Sequence, residues 1–169
     1  MQRLREQLVD AGVQLLDQGG TTAVTIREVA RACGVSHGAP RRHFPTLAAL
    51  LASVAETCVD ELDRLLSEAG TDSHALAVAY VGFAVSRPHA FDLITRHDLL
   101  EASGRNLREA TVPLLTRWID AYRSERPDKD RVDAVAAWVG VHGTATLASR
   151  RAFDVIPVET EALLARILS

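Results

Sequence analysis

Apolar residues recur along this chain at intervals of three and four, the period of an α-helix with one buried face. Over residues 2–18, Leu4, Leu8, Ala11, Gly12 and Leu15 form such a stripe, and Gly19–Gly20 ends it. A second, longer stripe starts after Pro45–Thr46 and runs to about Ala69, through Leu47, Leu50, Leu51, Val54, Cys58, Leu62 and Leu65. Residues 69–73 (AGTDS) stop it. Residues 74–86 then place Leu76, Tyr80 and Phe83 inward. Pro88 opens a short helix with Phe91 and Ile94, its missing N–H lying in the first turn where the loss costs little. Residues 98–105 read as loop towards their C-terminal end, and a helix follows over 106–124, kinked or begun at Pro113. After a loop at 126–130, a helix over 131–153 carries Val132, Val135, Val139, Thr146 and Leu147 on one side. A last helix runs from Pro157 to Leu168. No period-two alternation and no internal repeat interrupts this pattern, so the expected fold is all-α with about nine helices.

Residues 25–44 (TIREVARACGVSHGAPRRHF) stand apart from the long stripes. Thr25 is placed to cap a short helix, with Glu28 three residues on able to reach back to the Thr25 N–H. Ile26, Val29 and Ala30 form its apolar face. Cys33 ends it, and Gly34 is the residue that can take positive φ at a helix C-terminus. Val35 is an apolar plug, and Ser36 is placed to cap a second short helix carrying His37, Arg41, Arg42 and His43. Helix, glycine turn, plug and basic helix are the parts of a helix-turn-helix, whose second helix enters the major groove of DNA. Pro40 lacks an N–H, which is tolerable within the first turn of so short a helix.

With its flanks, this stretch resembles the DNA-binding domain of TetR-type transcriptional regulators. The features that carry the likeness are Ala11, Leu15–Leu16, Gly19–Gly20, Thr22 to Thr25, Ile26 to Ala30, Gly34–Val35–Ser36, Gly38, His43–Phe44 and Leu50. Two positions depart from the usual pattern: Arg41 stands where the family has Tyr, and Leu47–Ala48 where it has Lys-Glu. That Tyr and that Lys commonly touch phosphates; Arg41 can make a charged version of the first contact. Further on, Trp138 with His142–Gly143 resembles the tryptophan/histidine-glycine signature of one group of TetR C-terminal domains.

Charge adds to this picture. Residues 1–50 hold six arginines against four acids, net +2, while 51–169 hold thirteen basic against eighteen acidic residues, net −5. The basic excess lies in the proposed DNA-binding third. The two cysteines, Cys33 and Cys58, sit in helical contexts as small hydrophobes, and no Cys/His grouping has metal-ligand spacing. A glycine-rich phosphate loop, a nucleophile elbow and any cofactor motif are likewise missing from the sequence, so no catalytic residue and no enzyme is expected. No apolar run reaches the ~18 residues that span a bilayer, and the N-terminus is charged and amphipathic rather than a signal peptide, so a cytoplasmic protein without membrane contact is expected.

The resemblance implies an N-terminal three-helix DNA-binding domain (1–48) and a helical effector-binding and dimerisation domain (49–169). It implies a regulator, most simply a repressor, that binds a palindromic double-stranded operator as a homodimer and is released by a small molecule. Thr25, Arg27, Ser36, His37, Gly38, Ala39, Pro40, Arg41, Arg42 and His43 are the candidates for DNA contact. Cys58, Tyr80, Phe83, Phe91, His97, Trp118 and Tyr122 are those for an effector pocket. Val135, Val139, His142, Gly143, Leu147, Leu163, Leu164 and Ile167 are those for the dimer contact. The competing reading is a helical small-molecule-binding or interaction module that has lost operator recognition, which Leu47 and the modest +2 charge favour.

Overall fold

The computed structural model describes residues 2–96, 107–156 and 158–169. Among them are eight α-helices and no strand: α1 (Gln2–Gly19), α2 (Ile26–Ala32), α3 (Leu47–Ala69), α4 (Ser73–Ser86), α5 (Pro88–Thr95), α6 (Arg108–Glu125), α7 (Arg131–Ser149) and α8 (Thr160–Ile167). Three single turns of 3₁₀ helix lie at Thr21–Ala23, Pro40–Arg42 and Ala152–Asp154. The fold is therefore all-α, as the helical periodicity requires. The polar stretch expected as loop at 98–105 and the start at Pro157 lie outside the described residues.

The chain forms two compact units, Met1–Asp60 with His89–Ala110, and Glu61–Pro88 with Thr111–Ser169. The first unit is organised by α1, α2 and the N-terminal part of α3. Leu8, Leu16, Val24, Val29, Leu50 and Val54 are fully buried there. Gly12 lets α1 pass close to Val54, since a Cβ at that position would come 2.7 Å from Val54 Cγ2. The Thr46 hydroxyl caps α3 by accepting the Ala49 N–H at 3.1 Å. The boundary expected at 48/49 falls within α3, which continues without a break.

In the second unit α7 packs most extensively against α4, and also against α8. Its buried face is made of Ala134, Ala137, Val141, Thr144 and Ala145. The apolar side read from the sequence is the exposed one: Val132, Val135, Val139 and Leu147 all face solvent. Small residues line the contact because they let neighbouring helices approach. A Cβ on Gly140 would lie 2.9 Å from Ile167 Cγ2. α7 also ends at Ser149, short of the expected Phe153. The Arg150 and Arg151 N–H groups bond to Leu147 and Ala148, three residues back, and Arg151 takes φ 56°, which turns the chain into the 3₁₀ turn. α6 runs unbroken through Pro113. At its C-terminal end the Glu125 carboxylate accepts the Ser73 N–H at 2.6 Å and its hydroxyl at 2.5 Å. Arg126 reaches Glu125 at 2.7 Å, Ser73 Oγ at 3.2 Å and the Leu168 carbonyl, tying the start of α4 to the end of α6 and to the C-terminus.

Candidate nucleic-acid interface

The first unit places the helix-turn-helix stretch largely at its surface. Thr25 caps α2, its hydroxyl accepting the Glu28 N–H at 3.1 Å. The reciprocal half of the expected capping box is replaced, because the Glu28 carboxylate turns to Arg31 instead. Val29 and Ala30 are buried and hold α2 to the core. The turn that follows is a Schellman motif: Gly34 has φ +66°, its N–H bonds to Arg31 O at 3.1 Å, and the Val35 N–H bonds to Ala30 O at 3.0 Å.

The second element differs from expectation. Residues 37–39 form a turn and Pro40–Arg42 a single 3₁₀ turn, so no α-helix spans 36–43. Pro40 supplies the reason. Its nitrogen has no hydrogen to give to the Ser36 carbonyl four residues back, and its ring would crowd that carbonyl. Ala39 donates to Ser36 O instead, at 2.9 Å, and the chain tightens to three-residue spacing. The Ser36 carbonyl is thus the acceptor at this point, and the turn at Pro40–Arg42 has no side-chain cap. The His43 and Phe44 N–H groups both bond to Pro40 O, at 2.9 and 2.8 Å. Pro40 itself is buried, as is Phe44, so Pro40 is removed from the surface a duplex could touch.

Of the other nine candidates, Arg27, Ser36, His37, Gly38, Arg41 and Arg42 are exposed, and Thr25, Ala39 and His43 are half-buried. All nine share one unit, Thr25 and Arg27 at the start of α2 and the rest between Ser36 and His43, with Arg41 and Arg42 in the 3₁₀ turn. Arg5, which the sequence did not single out, lies with its guanidinium 5.2 Å from the centre of the Phe44 ring and donates to Ser53 Oγ at 3.0 Å. It braces the residue on which the basic turn is anchored. Leu47 opens α3 and is 38% exposed, so the usual lysine position here is an accessible apolar residue.

The effector candidates divide between the units. Cys58 and Phe91 belong to the first, Tyr80, Phe83, Trp118 and Tyr122 to the second, and all six are buried; His97 lies outside the described residues. Within the second unit an aromatic cluster forms between α4, α6 and α7. Trp118 stacks on Tyr122 with centroids 5.3 Å apart, Trp138 lies 5.6 Å from Trp118 and 4.7 Å from Tyr80, and the Tyr80 hydroxyl is 2.8 Å from His142 Nδ1. Burial pushes the Tyr80 phenol well above its usual range and lowers the His142 pKa, so both are neutral near pH 7. The i,i+4 spacing of Trp138 and His142 on one helix was the available signal for this cluster. His142 is committed to Tyr80, which sets it apart from the freely exposed valines of α7. Leu164, expected at the dimer contact, is 1% exposed and belongs to its own chain's core; Leu163 and Ile167 are half-buried.

Residues 8–54 match the family described as bacterial regulatory proteins, tetR family, and residues 73–169 match the tetracyclin repressor-like C-terminal domain. No functionally curated protein matches the chain. Among solved structures, a protein of unknown function from Rhodococcus sp. RHA1 is 25% identical, with 98% of this chain and 91% of that one covered and a TM-score of 0.80. A transcriptional regulator from the same organism is 21% identical, with 97% and 93% covered and a TM-score of 0.68. A transcriptional regulator of the TerR/AcrR family from Aquifex aeolicus VF5 is 16% identical, with 98% and 95% covered and a TM-score of 0.63.

Proposed function

The chain belongs to the TetR family of bacterial transcriptional regulators, and from that premise we propose that it is a repressor which binds a palindromic operator as a homodimer and is released by a small molecule. The observation that carries the reading is the exposed run Ser36, His37, Gly38, Arg41 and Arg42, set on a buried Pro40–Phe44 anchor behind a Schellman turn. Phosphate contacts would come from Thr25, Arg27, Arg41 and His43, with Ser36, His37, Ala39 and Arg42 nearest the base edges. The exposed stripe Val132, Val135, Val139 and Leu147, with Gly143 beside it, is the face that a second copy would cover. Two such copies address half-sites one helical turn apart, ~34–36 Å. An effector held by Tyr80, Phe83, Trp118 and Tyr122 would favour a conformation with poorly spaced reading elements. A coupling of ~1–3 kcal/mol shifts operator affinity about 5–150-fold. Such a protein works in the cytoplasm; no helix among the described residues is long and apolar enough to cross a membrane.

The second reading, a helical module without operator recognition, is favoured by exposed Leu47 and by the shortened basic turn. A gel-shift against the DNA upstream of the chain's own gene separates the two. The repressor reading expects a shifted complex that weakens steeply with salt. No complex at ~100 mM salt, on this DNA or on random-sequence DNA, refutes it in favour of the module.

A further inference from the structure

Among the described residues of the second unit, two buried side-chain atoms lack a hydrogen-bond partner: Asp63 Oδ1, which is ion-paired to Arg117 at 2.8 Å, and Trp118 Nε1, which nothing serves. The indole nitrogen of Trp118 is buried, the residue is 2% exposed, and Nε1 has no hydrogen-bond partner. Indole N–H only donates, and an orphaned buried donor costs ~1–3 kcal/mol relative to a satisfied one. Such groups call for an explanation. The surroundings of this one are specific: Tyr122 stacks on the Trp118 ring, Trp138 closes another side, and Tyr80 and His142 complete the wall. Trp138 and His142 are half-buried, so the cluster reaches the surface along α7.

We propose that this aromatic cluster is the effector site and that its ligand is a neutral, flat aromatic compound carrying a carbonyl-type acceptor, which takes the Trp118 N–H. This rests on the repressor reading above for the word effector, though the binding itself does not. Ring faces around the donor select a flat aromatic partner, since offset and edge-to-face ring contacts add ~0.5–1.5 kcal/mol beyond the area they bury. The polar members are already matched to each other: the Tyr80 hydroxyl meets His142 Nδ1 and leaves Trp118 as the donor in search of an acceptor. The cation beside the cluster is spoken for. Arg126 lies 4.5 Å above the Tyr122 ring but is committed to Glu125, Ser73 Oγ and the Leu168 carbonyl, so an anionic ligand would compete with bonds that hold the unit together. With His142 kept neutral by its burial, the described residues of the cluster offer a negative charge no uncommitted counterion, which argues for a neutral ligand.

The chain's two tryptophans are Trp118 and Trp138, both in the cluster, so tryptophan emission reads this site directly. The probes are 9-fluorenone and fluorene, which share a ring system and differ in the carbonyl. Fluorenone should quench emission and raise the melting temperature at micromolar concentration, with fluorene at least about tenfold weaker. Trp118→Phe should bring fluorenone down to the fluorene level and leave fluorene unchanged; a purely structural tryptophan would weaken both alike. Equal binding of the two probes to the wild-type protein overturns the proposal without any variant, so it stands or falls even if Trp118→Phe folds poorly. So does an absence of fluorenone binding. Failure of the repressor reading looks different. There the gel-shift shows no operator complex, or a complex that bound fluorenone does not release, whatever the emission reports.

Discussion

The turn at Gly34 offers the cleanest test of how this sequence builds its basic element. Gly34 and Gly38 flank the turn between α2 and the 3₁₀ segment, and a Cβ built on either meets no atom within 4 Å. They differ in backbone: Gly34 has φ +66°, while Gly38 is outside the left-handed region. Sterics are thereby removed from the comparison and conformation is left. Gly34→Ala forces an L residue into left-handed backbone, at ~1–2 kcal/mol. Loss of unfolded-state freedom returns ~0.4–1 kcal/mol, so the net is a destabilisation of about 1 kcal/mol. Gly38→Ala has the gain without the strain and should be neutral or slightly stabilising. Urea unfolding followed by circular dichroism reads both. For a chain of this length 1 kcal/mol moves the melting temperature by roughly 2–4 °C. DNA binding should reverse the ranking. Gly38 is exposed in the segment offered to the groove, so a methyl there weakens operator binding although the fold is intact. Equal stability losses for the two variants, or a stable Gly34→Ala, would refute the assignment of the turn to a left-handed glycine.

Four further outcomes follow from the same geometry. Arg41→Ala should weaken binding to cognate and scrambled DNA alike and reduce the salt slope by about one per half-site, whereas Arg42→Ala, if Arg42 reads a guanine, should cost ~1–3 kcal/mol on cognate DNA only, as titrations across salt concentrations would show. Val139→Asp places a charge on a residue that is 64% exposed, so sedimentation should show a monomer with an unchanged circular dichroism spectrum; a persistent dimer would remove α7 from the contact. His142 has a folded-state pKa below its unfolded value of about 6.5, because burial opposes its charge; the neutral form is favoured by the fold, so stability falls as pH drops below about 6.5, and His142→Gln should flatten that part of a urea-midpoint profile. Burial alone would raise the Glu125 pKa, but hydrogen bonds from Ser73 and Arg126 outweigh it and hold the carboxyl below its usual range; its contribution is present above about pH 4 and lost on further acidification, so wild type and Glu125→Gln should converge there in urea midpoint.

The helical periods of α1, α3, α4 and α5 were legible in the sequence because each pairs large apolar residues at three- and four-residue spacing with a chemical stop: Gly19–Gly20 for α1, Gly70 at φ +87° for α3, and the Asp72 side chain accepting the Ala75 N–H to begin α4. The turn after α2 was legible for the same reason, since only a glycine holds φ +66° without strain. The second half of the motif was not. Basic residues at 37, 41, 42 and 43 suggest a helix by spacing, but the decisive residue is Pro40, which withholds one hydrogen and so selects the tighter turn. The loss expected to be tolerable in so short a helix is decisive there, because Ala39 takes the Ser36 carbonyl and the chain continues at three-residue spacing. The aromatic cluster was half legible. Trp118, Tyr122 and Tyr80 stood out as large residues, but their meeting with Trp138 and His142 depends on how α7 rolls against α4.

That roll also decides which apolar residues of α7 reach the surface. On α7 Val132, Val135, Val139 and Leu147 lie outward, and the inward face is mostly small, with Ala134, Ala137, Thr144 and Ala145 beside a single buried valine, Val141. The close approach of α8 at Gly140, where a Cβ would lie 2.9 Å from Ile167 Cγ2, leaves little space on that part of the buried face. The outward valines and Leu147 lie outside the chain's own core. Leaving four large apolar side chains in water forgoes about 25 cal/mol for each Å² of apolar surface that could be covered. α8 does not cover them, since its Leu164 is spent inward. The exposed face of α7 is therefore better read as one half of a symmetric contact than as a failed core. Charged replacements on it should change assembly and spare folding, while the same replacements at Ala134 or Ala145, both fully buried, should do the reverse.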